Sequence, residues 1–300
     1  MARRKVKKVK LTKGKVILLL LVAIVAAVVL YLSGVLIPDK APKEVSGELQ
    51  VHFLDVGQGD CILVMSEGEY MLVDTGDRDD TYNQKIVNYL KEYRITTIDY
   101  LVLTHPDSDH IGGAPDVINE FDVGKCIMPD FEKSTKIFEQ TLDALEDRQV
   151  EVIEAIPGDE FSVGEVDCKI LAPLYRYSDS NDASVVIHMT FGANSVLLTG
   201  DAEAESEADI VNRYSAADLK ADVLKSGHHG SSTSSTPELL DMVDPGYVII
   251  SCGAGNDYGH PHKQTLDKYQ SRDIEVYRTD ISGTIIMKSD GENIMFYKEK

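Results

Sequence analysis

The sequence predicts an α/β fold in which two β-sheets face each other and helices cover their outer faces. Three observations carry this. From Glu48 onward, short β-branched runs bounded by Gly, Asp, Asn or Pro recur, amphipathic helical stretches fall between some of them, and no low-complexity tract interrupts the series. In chain order the strand-like runs are "ELQVHFLDV", "CILVM", "YMLVD", "IDYLVLT", "VDCKILA", "SVVIHMTF", "SVLLTGD", "ADVLKSG", "YVIIS" and "GTIIMKS". Tyr82–Tyr93 places Ile86, Val87 and Leu90 on one helical face, and Ile137–Leu145 does the same with Phe138, Leu142 and Leu145. Glu203–Tyr214, Pro237–Val243 and His262–Tyr269 read as shorter helices. Strands interrupted by a few helices must bury one face of each element, and two sheets packed together with helices outside do so.

The first 37 residues are a different material. Residues 1–15 carry eight Lys and Arg and no acid, and Val16–Leu36 is 21 residues without a charge. That length matches the roughly 20 residues a helix needs to cross a bilayer. The run exceeds a signal peptide's apolar region of about 7–15 residues, and no small-x-small cleavage site follows it. The expectation is an uncleaved single-pass anchor over 16–36, with residues 1–15 as a cytoplasmic flank. Residues 37–47 then form a linker, and 48–300 one extracytoplasmic domain in the cell membrane's outer space.

Beyond residue 37 the chain holds all 50 acids but 22 of the 30 bases, a net charge of −28. Nucleic-acid binding normally leans on Lys and Arg neutralising phosphates, so this body has no general attraction for it. An anionic substrate must be captured locally, by metal ions or a small basic patch. Four cysteines without a C-x-x-C pair lie mostly beside apolar runs, which suits buried small side chains better than disulfides or a zinc–thiolate site.

The unusual polar residues sit where apolar runs end. Asp74 closes "YMLVD"; "HPDSDH", His105 to His110, follows "YLVLT"; Asp201 closes "SVLLTGD"; His228 and His229 follow "ADVLKSG". Strand ends hold side chains firmly while loops leave room for a ligand. Imidazole with carboxylate suits Zn²⁺, Mn²⁺ or Fe²⁺, and added carboxylate shifts the preference to harder ions. A turn explains one Asp of the hexad but not four potential ligands joined by two further clusters.

The run "THPDSDHIGG" resembles the metallo-β-lactamase superfamily signature H-x-H-x-D-H. With "VHFLDVGQGDCILV", "MLVDTGD", "SVLLTGDAE", "DVLKSGHHGSSTSS", "IISCGAGNDYGHPH" and "VYRTDISGTI" in order, the chain is similar to the hydrolase domain of ComEC-type DNA-uptake proteins over about Glu48 to Lys288. This resemblance implies an αββα sandwich holding two divalent ions. It also implies His105 and Asp107 on the first metal with Asn181 or Asp182 nearby, Asp109 and His110 on the second, Asp201 bridging them, and one histidine of "GHHG" completing the set, His228 ahead of His229, the other standing behind it. Asp74 is expected to buttress the hexad loop. Asp109 and Asp201 would orient the nucleophile, and His260 would touch a phosphate or protonate a leaving group, with His262 nearby.

Two departures replace nitrogen by oxygen. Asp107 stands where most of the superfamily has a second histidine, and "SDSNDAS" offers Asn181 and Asp182 in place of a third-motif histidine. Both favour Mn²⁺, with Zn²⁺ and Mg²⁺ as alternatives. Lys225 and Arg278 are candidates for a local basic patch or for surface ion pairs; Asp55, Gln58 and Asp60 in "DVGQGD" read equally as a turn or as a site rim. His52 and His188 read as packing residues.

The expected function is a membrane-anchored, metal-dependent phosphodiesterase or nuclease that degrades DNA during uptake beside a channel protein. A metallohydrolase of a wall phosphodiester or small nucleotide, and a non-catalytic metal-binding partner module, are the alternatives.

Overall fold

Two-residue alternation along the strands sorts the apolar side chains into layers in the computed structural model, which describes residues 48–300. The strands are β1 (Leu49–Phe53), β2 (Ile62–Ser66), β3 (Glu69–Val73), β4 (Thr97–Val102), β5 (Asp122–Met128), β6 (Glu151–Glu154), β7 (Glu160–Val163), β8 (Val166–Ala172), β9 (Val186–Phe191), β10 (Asn194–Leu198), β11 (Val223–Lys225), β12 (Tyr247–Ile250), β13 (Glu275–Arg278), β14 (Ile285–Ser289) and β15 (Ile294–Lys298). One sheet runs β15-β14-β1-β2-β3-β4-β5-β6 and the other β13-β12-β11-β10-β9-β8-β7. Each sheet is mixed: β3 to β6 pair in parallel in the first, as do β10 to β13 in the second.

Val51 and Phe53 of β1, Ile62 and Val64 of β2 and Met71 and Val73 of β3 meet Ile187, Met189, Val196, Leu198, Val223 and Ile249 between the sheets. The alternate residues, Leu63, Met65, Leu72 and Leu101, face α1 (Asp80–Glu92), α3 (Ala114–Glu120) and α4 (Lys136–Asp147), with α2 (Ser108–Ile111) preceding α3. On the other side Leu197, Leu224, Val248 and Ile250 pack against α5 (Ala204–Arg213), α7 (Pro237–Val243) and α8 (Lys263–Gln270), with the short α6 (Ala216–Leu219) between. The order helix, sheet, sheet, helix is the α/β sandwich that the sequence predicts. Helix starts follow side-chain chemistry: Asp79, Thr135 and Thr236 accept the free amides that open α1, α4 and α7.

One expectation changes. Leu142 is 40 % exposed, and Thr141 and Ala144 share the buried face of α4 with Ile137, Phe138 and Leu145 instead. The flank 1–15, the anchor 16–36 and the linker 37–47 lie outside the described residues; among the described residues no helix is long and apolar enough to cross a membrane. The four cysteines are buried and unpaired.

Candidate metal centre

Parallel strands deliver their C-terminal ends to one edge, and in α/β sheets ligands bind there. Asp74 follows β3, His105 to His110 follow β4, Asp201 follows β10, His228 and His229 follow β11, and Ser251 follows β12. These tips converge. Asp60, His110, Asp201 and His229, all buried, place ligand-capable atoms within 4.8 Å of one another.

The hexad loop is held from behind by Asp74. Its Oδ1 accepts the Thr104 amide at 2.8 Å, and its Oδ2 accepts the Thr104 hydroxyl at 2.6 Å and faces His110 Nδ1 at 2.7 Å. With Nδ1 engaged, His110 turns Nε2 toward Asp201 Oδ1 at 3.2 Å. His229 is set the same way: Nδ1 donates to the Ser251 carbonyl at 3.0 Å, so Nε2 faces Asp109 at 3.2 Å and Asp201 Oδ2 at 3.3 Å. A hydrogen bond on one imidazole nitrogen that aims the other is how metal-binding histidines are oriented. Donors bound to one ion at ~2.1 Å stand about 3.0–3.4 Å apart, the spacing seen here.

The donor set fits a cation in two further respects. His105 Nε2, His110 Nε2 and Asp201 Oδ1 are buried without a hydrogen-bond partner, which a protein rarely tolerates without a function for the atom. Burial opposes charge on His110 and His229, yet Asp201 and Asp74 around the first, and Asp201 and Asp109 around the second, outweigh it and hold both imidazoles well above their ordinary value. Burial likewise opposes charge on Asp109 and Asp201, but the same imidazoles keep both carboxyls low. The cluster thus gathers the positive charge that a divalent ion would supply. Burial, followed by the charge on His110, pushes His105 down to about 3, so its ring is neutral.

The other expected residues divide. Asp107 and Asn181 line a small cleft of about 140 Å³ with Gln58, Asp109, Asp201 and His229. Half-buried Asp107 also pairs with Lys133, whose Nζ donates to Ser180 at 3.2 Å. The histidine pair differs from the expected assignment. His229, not His228, joins the buried group; His228 Nε2 stays 3.8 Å from Asp201 while its Nδ1 bonds Glu203 at 2.8 Å. Both residues sit on left-handed backbone, φ 46° and 52°, and both line the cleft, but only the His229 ring is fully buried in the cluster. His260 lines the cleft and His262 does not: its Nδ1 accepts the Ser232 amide and its Nε2 meets the Tyr258 carbonyl, tying two loops together.

Asp182 points away from the cleft, accepting the Glu203 and Ser206 amides at the start of α5. Lys225 is fully buried, 2.7 Å from Asp60, and cannot form a surface patch. Arg278 forks onto Asp280. Asp60 Oδ1 lies 3.4 Å from His229 Nδ1, is buried without a hydrogen-bond partner, and belongs to the same close cluster as His110, Asp201 and His229. Sequence reasoning passed over Glu203 and Lys133, which come from loops without a compositional mark.

A family model described as the metallo-beta-lactamase superfamily matches residues 54–254. The chain is 34% identical over 257 residues to ComE operon protein 3 of Bacillus subtilis, covering 80% of this chain and 33% of that protein. It is 31% identical over 249 residues to competence protein ComA of Neisseria gonorrhoeae, covering 83% and 33%. The chain therefore spans about a third of the length of these curated relatives. Among solved structures, the metallo-beta-lactamase fold protein YhfI from Bacillus subtilis superposes with a TM-score of 0.54 at 13% identity, covering 81% of this chain and 100% of that one. CmlA, a diiron beta-hydroxylase from Streptomyces venezuelae, gives 0.53 at 14% identity, covering 86% and 55%. At such identities the likeness is one of fold.

Proposed function

The chain belongs to the metallo-β-lactamase superfamily, and we propose that it is a metal-dependent phosphodiesterase that cleaves DNA, held outside the membrane by its N-terminal segment beside a DNA-uptake channel. The observation that carries this reading is the convergence of His110 Nε2, His229 Nε2, Asp109 and Asp201 at donor spacing, with His105 Nε2 unpartnered beside them. The kinship to competence proteins supports DNA as the substrate.

In this reading Asp109, His110, Asp201 and His229 would hold one ion, and His105 and Asp107 with Asp201 would hold the other, with Mn²⁺ or Zn²⁺ as the physiological metal and Mg²⁺ as the alternative. Bound there, such ions neutralise a phosphodiester and lower the pKa of water. The chain's own groups do the rest. Asp109 and Asp201 are kept ionised by the imidazoles beside them, and one of the two carboxylates would orient the attacking water and accept its single proton. His260 is pushed down to about 4 by burial and by His228, so it offers a neutral N–H to a phosphate oxygen rather than a charge. Gln58 and Asn181 supply further donors along the cleft.

A second reading, hydrolysis of a wall phosphodiester or a small nucleotide, is favoured by the −28 charge beyond residue 37 and by the narrow cleft. Incubation with labelled single- and double-stranded DNA and with a small chromogenic phosphodiester, in Mn²⁺ and in Zn²⁺, separates the two. DNA cleavage that disappears in Asp109→Asn supports the first. Cleavage of the small ester alone supports the second, and inertness toward both sinks the hydrolase reading.

A further inference from the structure

Tyr258 is 66 % exposed, yet it lines the same cleft as Asp109, Asp201 and His229. Its ring lies nearly parallel to that of His260, with centroids 5.6 Å apart and planes at 22°. One face is thus backed by an imidazole while most of the residue is open to water. The ring is not on a loose loop. His262 Nε2 meets the Tyr258 carbonyl at 3.2 Å, and Asn256 brackets the turn by accepting the His260 amide at 3.0 Å and donating to the carbonyls of Gly253 and His260. Gly259, at φ +76°, makes the bend between the two rings. The chain thus holds an aromatic plate at the mouth of the candidate metal centre.

Charge narrows what the plate can bind. The acidic body gives phosphates no broad attraction, Lys225 is buried against Asp60, and Lys133 is already engaged by Asp107. A nucleic acid needs a contact that does not depend on cations. Stacking of a base on an aromatic ring is such a contact, and it tolerates any base because every base has a π-face. A base can stack this way only when its own face is free, and a duplex hides that face.

We propose that Tyr258 is the stacking platform for a nucleobase beside the scissile phosphate, which makes the cleft selective for single-stranded nucleic acid. The inference rests on the nucleic-acid phosphodiesterase reading, and it is tested by binding rather than by cleavage.

The chain contains no tryptophan, so Tyr258→Trp places a unique fluorophore at the plate. The probe is a short single-stranded oligonucleotide with hydrolysis-resistant phosphorothioate linkages, in Mn²⁺, alongside an abasic strand of equal length and a duplex. The base-bearing strand is expected to quench the indole while the abasic strand and the duplex leave it unchanged. By anisotropy, Tyr258→Ala is expected to weaken binding of the base-bearing strand roughly 10-fold, and Tyr258→Phe to retain it. Quenching by the abasic strand equal to that by the base-bearing strand, or unchanged affinity in Tyr258→Ala, overturns the proposal. Hydrolysis of a small chromogenic phosphodiester by the unmodified chain is scored in parallel; its absence counts against the phosphodiesterase reading, while the quench and the anisotropy decide the stacking.

Discussion

Lys225 Nζ lies 2.7 Å from Asp60 Oδ2, and both side chains are sealed from water. The lysine also donates to the Ser226 carbonyl at 2.8 Å. Burial would raise the Asp60 carboxyl, but the lysine and then His229 outweigh it and hold it low. The pair ties the exit of β11 to the "DVGQGD" loop and holds Asp60 beside His229. Removing one partner of such a pair leaves an uncompensated charge and costs about 3–5 kcal/mol, whereas replacing both is often neutral. Lys225→Met should therefore lower the urea-unfolding free energy by about 3–5 kcal/mol, and Asp60→Asn with Lys225→Met should restore most of it. Equal losses in the single and double variants would show that the pair does not act as one unit.

Gly112 closes the short helix that carries Asp109 and His110. A Cβ there would stand 2.2 Å from the Arg78 amide nitrogen and 2.5 Å from the Ser108 carbonyl oxygen, both backbone atoms. Gly112→Ala must therefore move the hexad loop against the loop after Asp74. Metal affinity, measured by competition with a chelating dye, should fall more than 10-fold while circular dichroism stays that of the parent. Unaltered affinity would mean that this contact is not what places the loop.

Asp74 touches no cation site directly; its effect passes through His110. Asp74→Asn keeps the shape but loses the carboxylate charge beside His110 Nδ1. Outer partners of this kind are worth about 10–100-fold in metal affinity. The expected result is a loss of that size for Asp74→Asn, with retained folding by thermal denaturation. A loss confined to stability, with metal affinity intact, would reduce Asp74 to a loop anchor.

His52 is buried on β1, where it accepts from the Tyr89 hydroxyl at 2.8 Å and donates to Gln50 Oε1 at 3.2 Å. Burial, then the charge of Lys288, pushes it down to about 3. An unfolded histidine titrates near 6.5. Between these values the unfolded chain takes up a proton that the folded chain refuses. The stability is present above about pH 6.5 and is lost as pH falls toward 3, at about 1.4 kcal/mol per pH unit. His52→Gln should flatten the acid side of the stability–pH curve by one such slope; parallel curves for the two proteins would contradict the burial argument.

The sandwich was legible because apolar runs in the central strands are strong and their alternation is regular. Strands β6 and β7, with patterns such as "EVIE" and "EFSV", and the C-terminal β15 are short or half-exposed members at sheet margins, so burial leaves little apolar trace in their sequence. Within the site, the hexad, Asp74 and Asp201 stood out because titratable groups at the ends of apolar runs are rare. The choice between His228 and His229 was not legible, since adjacent residues share every sequence signal and only their contacts, Glu203 for the first and Asp109 with Asp201 for the second, separate them. Lys225 misled for a related reason. A lysine at a strand end reads as solvent-bound, and its burial depends on Asp60, 165 positions earlier in the chain. Tyr258 carried no signal beyond its type, because its place at the cleft follows from the turn made by Asn256 and Gly259.

The central claim is that these strand tips form a divalent-metal centre, and metal content tests it most directly. The chain of residues 1–300, loaded with Mn²⁺ or Zn²⁺ and passed through a desalting column, should retain two ions per chain by elemental analysis, and Asp201→Ala, which removes the shared carboxylate, should retain fewer than one. Retention of no ion by the parent chain, or equal retention by parent and variant, would contradict the account.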